Sequence, residues 1–426
     1  MSSKSNRLRV ALLADDFNPE WPSLPVVGFN YAAALAAHAD VSVFTHIRNK
    51  ENLEKLGKLA FKIIYLDNEY IASPMYKFAR WLRGGDELGW TIQIASNYLP
   101  YLEFERLALR HIRRANADFD LVHRITPMSP TLPSYVAGRT GTPFVIGPLN
   151  GNLPWPREFS AEQQRERELL SKIKGIYKVL PFLRSTYEKA SAVLAAFPHT
   201  IASLDKRSAG KIFDVPEIGY DPSIFYSAPR KRGDRLTFLY AGRLVPYKLP
   251  DLAVLAFAAR PELRKHRLRI VGSGPEQQSL EQLVAEHGLQ DCVEFAGRLT
   301  QGEVADEMRK ADVFIFPSIR ELGAGVVIEA LACGLPCIVA DYGAPGALVN
   351  DSWGRKVPLG SRETMIRCFA DAATQLASAA VSLDQMAEES ASYAERTFTW
   401  DKKAGSTIAI YEWVLGRSSE KPEFVY

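Results

Sequence analysis

The second half of the chain carries five apolar runs: L-T-F-L-Y-A at 236–241, L-R-I-V-G at 268–272, V-E-F-A-G at 293–297, V-F-I-F at 313–316 and C-I-V-A at 337–340. Stretches of helical pattern separate them, at 249–259, 276–287 and 301–310 and along V-V-I-E-A-L-A. Strands this apolar are covered on both faces, and strands spaced by helices pair in parallel through crossover connections. The first half alternates in the same way, with R-V-A-L-L-A, V-S-V-F-T, F-K-I-I-Y-L, D-L-V-H, P-F-V-I-G and S-A-V-L-A-A as strands. A chain of 426 residues exceeds one hydrophobic core. The expected fold class is therefore α/β, two Rossmann-like, doubly wound parallel-sheet domains whose strand ends face a cleft. Residues 1–215 make the first domain and 216–399 the second, with Ser227–Asp234 as linker and a last helix, about 400–426, returning to the first.

Composition removes several function classes. No apolar run reaches the roughly 18 residues of a membrane span, and Val10–Ala14 is too short for a secretion signal, so the expected location is the cytoplasm. Residues 1–215 hold 28 Lys and Arg against 21 Asp and Glu, a net +7, while residues 216–426 carry −4. Basic residues do not interleave with aromatics in the way nucleic-acid binding needs. Residues 71–117 combine Tyr76, Phe78, Trp81, Trp90, Tyr98, Tyr101 and Phe104 with Arg80, Arg83, Arg106, Arg110, Arg113 and Arg114. They read as amphipathic helices on the sheet, with peripheral contact at the inner membrane face or a lipid acceptor as the alternative. Cys292, Cys333, Cys337 and Cys368 lack zinc spacing and read as reduced thiols.

The stretch Phe316–Gly346 concentrates the candidate chemistry. A strand, a glycine-bearing turn and an apolar helix follow one another, with Glu321 in the turn and Glu329 inside the helix. Gly323 and Gly325 stand where backbone amides approach a ligand, and a helix start attracts an anionic group such as a diphosphate. Were residues 321–329 wholly helical, the carboxylates would lie about 12 Å apart, a span suited to a nucleotide sugar. The bland reading is two solvated glutamates, opposed by the lack of any other charge around Glu329. Arg243 and Lys248 in A-G-R-L-V-P-Y-K follow a strand; a planar fork and a point charge together balance a departing diphosphate. Gly272 and Gly274 in G-S-G-P and Arg298 in F-A-G-R-L complete the donor-side set.

The remaining candidates lie in the first half. His123 is read as ending a strand and facing the cleft, against the plainer reading of a satisfied core histidine. A proline-punctuated loop and then a helix follow it. Gly28, in the Pro-rich loop region after the first strand, and Asn150 and Gly151, after P-F-V-I-G-P-L, read as groups on the acceptor or sugar side. Asp118-Phe119-Asp120 is a D-x-D string of the kind that can hold a divalent cation, but its place before a strand suits a loop cap better. No metal site is expected.

Through G-R-L-x-P-x-K, V-G-x-G-P, F-x-G-R-L, the E-x7-E element and A-L-A-C-G-L-P, residues 236–358 resemble the retaining family-four glycosyltransferases (glycosyltransferases group 1) of the GT-B fold. The resemblance implies transfer of a sugar from a UDP- or GDP-sugar donor to a saccharide, lipid-linked or small-molecule acceptor, without a metal and without nucleic acid. It implies Arg243 and Lys248 on the diphosphate, Glu329 on the ribose, Glu321 on the transferred sugar with Gly323 and Ala324 amides beside it, and His123 on the sugar or acceptor side. The chain departs from the family at Leu322 and Leu249, where glycine is usual, at Glu217 in place of Asn, and at Gly343–Ala347, which lacks the usual glutamate. The competing expectation is a catalytically degenerate scaffold that senses a nucleotide sugar or grips a partner. A nicotinamide enzyme is disfavoured by the missing G-x-G-x-x-G.

Overall fold

The computed structural model describes residues 7–83, 90–114, 119–165, 180–378 and 382–424. The side chains of Phe78, Arg80, Trp81, Arg83, Trp90 and Asp118, named above, lie outside the described residues. The chain forms two compact units, one of Met1–Asn152, Arg167–Glu217 and Trp400–Val425, the other chiefly of Leu153–Glu166 and Ile218–Thr399.

In the first unit seven strands pair in parallel: β1 (Arg9–Ala14), β2 (Asp40–His46), β3 (Lys62–Leu66), β4 (Leu121–Thr126), β5 (Phe144–Leu149), β6 (Ala192–Ala195) and β7 (Ile212–Asp214). Their order, β3-β2-β1-β4-β5-β6-β7, reverses direction between β1 and β4, a topological switch point. Every residue of β4, β5 and β6 is buried, which is what apolar runs without alternation require. Helix Trp400–Val414 packs on helix Leu24–His38, and its Tyr411 hydroxyl reaches the His123 ring at 2.6 Å.

Two expectations for this unit fail. β4 does not end at His123 but continues to Thr126. No helix joins β4 to β5; residues 127–143 run as turns. Pro127, Pro130 and Pro133 have no amide to donate, and distant side chains serve the backbone instead. The Arg124 guanidinium donates to the Leu132 carbonyl at 2.8 Å, and the Glu105 carboxylate accepts the Val136 amide at 3.1 Å as well as that of Tyr135.

The second unit holds β8 (Thr237–Ala241), β9 (Arg267–Val271), β10 (Val293–Gly297), β11 (Val313–Phe316), β12 (Cys337–Ala340) and β13 (Gly354–Val357). Their order is β10-β9-β8-β11-β12-β13, all parallel, with the switch between β8 and β11. Ser227–Asp234, expected as a linker, lies within this unit. Arg230 binds it there, donating to the carbonyls of Gly334 at 2.9 Å, Arg309 at 3.2 Å and Cys333. Cys292, Cys333 and Cys337 are buried free thiols. Among the described residues no helix is long and apolar enough to cross a membrane.

Candidate functional site

The loops leaving β8 and β11 flank the switch point of the second unit, where open α/β sheets take ligands. After β8 the chain makes a tight turn, Pro246–Lys248, and enters helix Pro250–Ala259 through Leu249, whose φ is 46°. Arg243 is exposed, and its guanidinium donates to the Tyr247 hydroxyl at 2.7 Å. Lys248 is buried. Its ammonium donates to the Glu321 carboxylate and lies 5.0 Å from the Phe316 ring centroid. Glu321 also accepts from the Ser318 hydroxyl at 2.9 Å, and the Ile319 amide donates to the Tyr247 carbonyl at 3.1 Å, so the two loops are one hydrogen-bonded assembly.

Beyond Glu321 the chain is not helical at once. Helix Gly325–Ala332 begins four residues later, behind Ala324 with φ 48°, so only half of the steps from Glu321 to Glu329 rise as a helix. No side chain caps this start. Val327 and Ile328 are its first amides to bond backward, to the Ala324 carbonyl at 2.9 and 3.3 Å; the amides ahead of them precede the helical ladder. The positive end of the helix dipole thus begins four residues after Glu321, the partner of Lys248, and a start of this kind is open to an anionic group.

Gly272 and Gly274 back the assembly. A Cβ on Gly272 would stand 1.9 Å from the Gly242 carbonyl oxygen, and one on Gly274 would stand 2.3 Å from that of Leu244. Glycine is therefore demanded here by backbone-to-backbone packing of the β8 and β9 loops, independently of any ligand. The Leu244 amide donates to the Ser273 carbonyl and the Glu276 amide to the Leu244 carbonyl, both at 3.0 Å. Glu329 is half-buried; loss of solvent pushes its carboxyl up to about 7, against a hydrogen bond from Gln301. Arg298 is exposed after β10.

The other sequence candidates belong to the first unit. Gly28 packs tightly there, its Cβ position 3.1 Å from the Asp16 carbonyl oxygen and 3.2 Å from Thr126 Cγ2. The Asn150 side-chain amide, expected to face a sugar, donates to Glu217 at 2.5 Å instead, and the Gly151 amide donates to the Thr200 hydroxyl at 3.1 Å. Glu217 is buried, and burial raises its carboxyl; the buried Lys403 ammonium opposes that rise and itself donates to the Pro216 carbonyl. His123 is fully buried. Its Nε2 lies 2.7 Å from the Gly147 carbonyl, which can only accept, so Nε2 carries the proton and Nδ1 accepts from Tyr411. Burial pushes this ring down to about 3. With both nitrogens engaged and no exposed face, His123 anchors the C-terminal helix and is not a free ring at a strand end.

Several site residues escaped sequence reasoning. Tyr247 and Ser318 orient the charged groups through single hydrogen bonds. Arg320, directly before Glu321, lies over the Trp155 ring, and Tyr342 donates to the Pro154 carbonyl. Apart from this assembly, in the first unit, Asp15 follows β1, and burial together with Asp16 pushes it up to about 7.

Residues 225–357 match the family pattern of the glycosyl transferases group 1. A D-inositol 3-phosphate glycosyltransferase of Streptomyces bingchenggensis (strain BCW-1) is 34% identical over 188 residues, 42% of this chain and 40% of that protein. A D-inositol 3-phosphate glycosyltransferase of Stackebrandtia nassauensis is 31% identical over 222 residues, 48% of this chain and 49% of that protein. The chain thus spans about half the length of these relatives or less. Two solved structures share the fold: sucrose-phosphate synthase from Thermosynechococcus elongatus, with TM-score 0.60 and 18% identity over 97% of this chain and 100% of that one, and HepE of Anabaena in complex with UDP, with TM-score 0.61 and 16% identity over 94% and 99%. The two parallel-sheet α/β units are those of the GT-B fold.

Proposed function

We propose that the chain is a retaining, family-four glycosyltransferase that moves a sugar from a nucleotide-diphosphate donor to a hydroxyl of a saccharide, lipid-linked or small-molecule acceptor. The observation that carries this reading is the joined pair of loops after β8 and β11: Lys248 paired with Glu321, Arg243 held by Tyr247, and the uncapped start of helix Gly325–Ala332. In the reaction the bond between the anomeric carbon and the β-phosphate oxygen breaks, and its electrons leave with the diphosphate. Arg243 and Lys248 balance that growing charge, the role a metal fills in other transferases, so no metal is required. Lys248 has three donors and can keep Glu321 while it receives a phosphate oxygen. The departing phosphate takes the acceptor's proton as the acceptor oxygen attacks the same face, which retains configuration. Glu321 addresses the sugar hydroxyls, and Glu329, with Arg298 and the G-S-G-P loop, the nucleoside.

A melting-temperature panel of UDP, GDP and their sugars tests the donor half. At 100 times the dissociation constant, a bound nucleotide adds about 2.7 kcal/mol of stability. Arg243→Ala should then lower turnover about 100-fold, as removal of one charge-stabilising donor does. Full activity in that variant would sink the assignment.

A further inference from the structure

The segment after β5 leaves its own unit: residues 153–165 group with the second unit. Two side chains of the second unit hold its beginning. Tyr342 donates its hydroxyl to the Pro154 carbonyl at 2.6 Å. Arg320 donates to the Leu153 carbonyl at 2.9 Å, with its guanidinium 4.8 Å from the buried Trp155 ring centroid. Farther along, Glu162 accepts from Arg362 at 3.1 Å, Arg165 pairs with Glu276, and the short helix Ser160–Arg165 packs on the Pro246–Lys248 turn.

These anchors converge on one backbone. Arg320 immediately precedes Glu321. The Glu321 carbonyl accepts the Ala344 amide at 3.1 Å. Gly343 packs so closely against it that a Cβ there would lie 2.6 Å from the Glu321 oxygen and 2.9 Å from Leu153 Cδ2. Glu321 is thus held from behind by Gly343 and Ala344, and through its neighbour Arg320 by the segment Leu153–Trp155. We infer that Leu153–Trp155 is a positioning element of the donor site, holding the loop that presents the Glu321 carboxylate to the transferred sugar. The reach of that carboxylate is then set by residues outside 225–357. This rests on the glycosyltransferase reading, because the task assigned to Glu321 does.

A carboxylate displaced by about 1 Å loses up to 100-fold in rate while nucleotide binding elsewhere in the site persists. The test compares Trp155→Ala, Trp155→Phe and Tyr342→Phe with wild type, reading donor turnover and the melting shift given by UDP or GDP, whichever stabilises the wild type. The expected result is at least a tenfold loss of kcat in Trp155→Ala with the nucleotide shift kept, and recovery of most of that loss in Trp155→Phe, which retains a ring under Arg320. Turnover within twofold of wild type in Trp155→Ala overturns the inference. So does a nucleotide shift that falls in step with turnover, because the segment would then be general support for the unit. Should Trp155→Ala show no melting transition, Tyr342→Phe, which deletes only the hydroxyl on Pro154, is judged by the same readings at a several-fold loss. A wild type that neither nucleotide stabilises overturns the glycosyltransferase reading and this inference with it; a stabilised wild type with an unaffected Trp155→Ala overturns the inference alone.

Discussion

Gly272→Ala is the most direct test of how the phosphate loops are built. The new methyl carbon would stand 1.9 Å from the Gly242 carbonyl oxygen and 2.9 Å from its carbonyl carbon, both backbone atoms with no rotamer to give way. The loop must move by about 1 Å or more. That strains the Gly242 amide bond to the Val271 carbonyl at 3.0 Å and the Gly272 amide bond to the Gly297 carbonyl at 2.8 Å, each contributing about 1 kcal/mol. Overpacking adds about 1–3 kcal/mol, and a φ of +137° costs an alanine about 1–2 kcal/mol more. The expected loss is about 4–7 kcal/mol, or about 8–28 °C in the melting temperature of a unit this size. Because Gly242 directly precedes Arg243, turnover should fall as well. Gly302→Ala is the control: Gly302 sits in helix Gln301–Lys310 with open space around it, so alanine there should stabilise by about 0.5–1 kcal/mol. Thermal unfolding of the three proteins in one buffer decides it. A Gly272→Ala protein that melts within about 2 °C of wild type would refute the packing argument.

His123 makes the first unit acid-labile. Its ring has a folded value of about 3 against the usual 6.5, so between those limits the unfolded chain binds a proton that the folded chain does not. Stability therefore rises with pH across that window and is lost as pH falls below about 6.5, by about 5 kcal/mol in all. Urea titrations of wild type and His123→Gln across that range should show a shallower slope for the variant; parallel slopes would remove the histidine from the account. Lys403→Met should destabilise by about 1–3 kcal/mol, because it removes the donor to the Pro216 carbonyl and a charge near the buried Glu217; burial already lowers that lysine to about 7, and adding Glu217→Gln should recover the electrostatic part. Equal stability of Lys403→Met and wild type in urea would show that the pair is not coupled.

The sheets were legible because their strands are apolar on both sides, and burial on both faces permits nothing else for runs such as V-F-I-F. The donor-side groups were legible for a related reason: Arg243, Lys248, Glu321 and Gly325 all lie in the loops that follow β8 or β11 or at the start of the next helix, and a strand end in such a sheet is already an address. What sequence missed is nonlocal. A helix after β4 was a fair expectation until Glu105, thirty residues away, supplied the acceptor for the Tyr135 and Val136 amides. Asn150 looked available to a sugar because nothing near it in sequence reveals Glu217, and His123 looked functional because its hydroxyl partner lies at Tyr411. Pro154 and Trp155 lie in a loop whose partners are far off in sequence, Tyr342 coming 188 residues after Pro154 and Arg320 coming 165 after Trp155.

Leu249 and Ala324 close the gap between fold and site. Among the described residues of the second unit they are the two with positive φ that are not glycine, at 46° and 48°. Each stands immediately before a helix, one in the loop after β8 and the other in the loop after β11. A left-handed L-residue costs roughly 1–2 kcal/mol, and persists only where surrounding structure holds it. Both are buried, which supplies that hold. The same sharp change of direction lets Lys248 face back to Glu321 and leaves the first amides of helix Gly325–Ala332 uncapped. Leu249, where the family resemblance led to an expectation of glycine, is therefore compatible with the turn: the turn still reaches the left-handed region, and burial of the leucine side chain offsets the strain that glycine would have avoided.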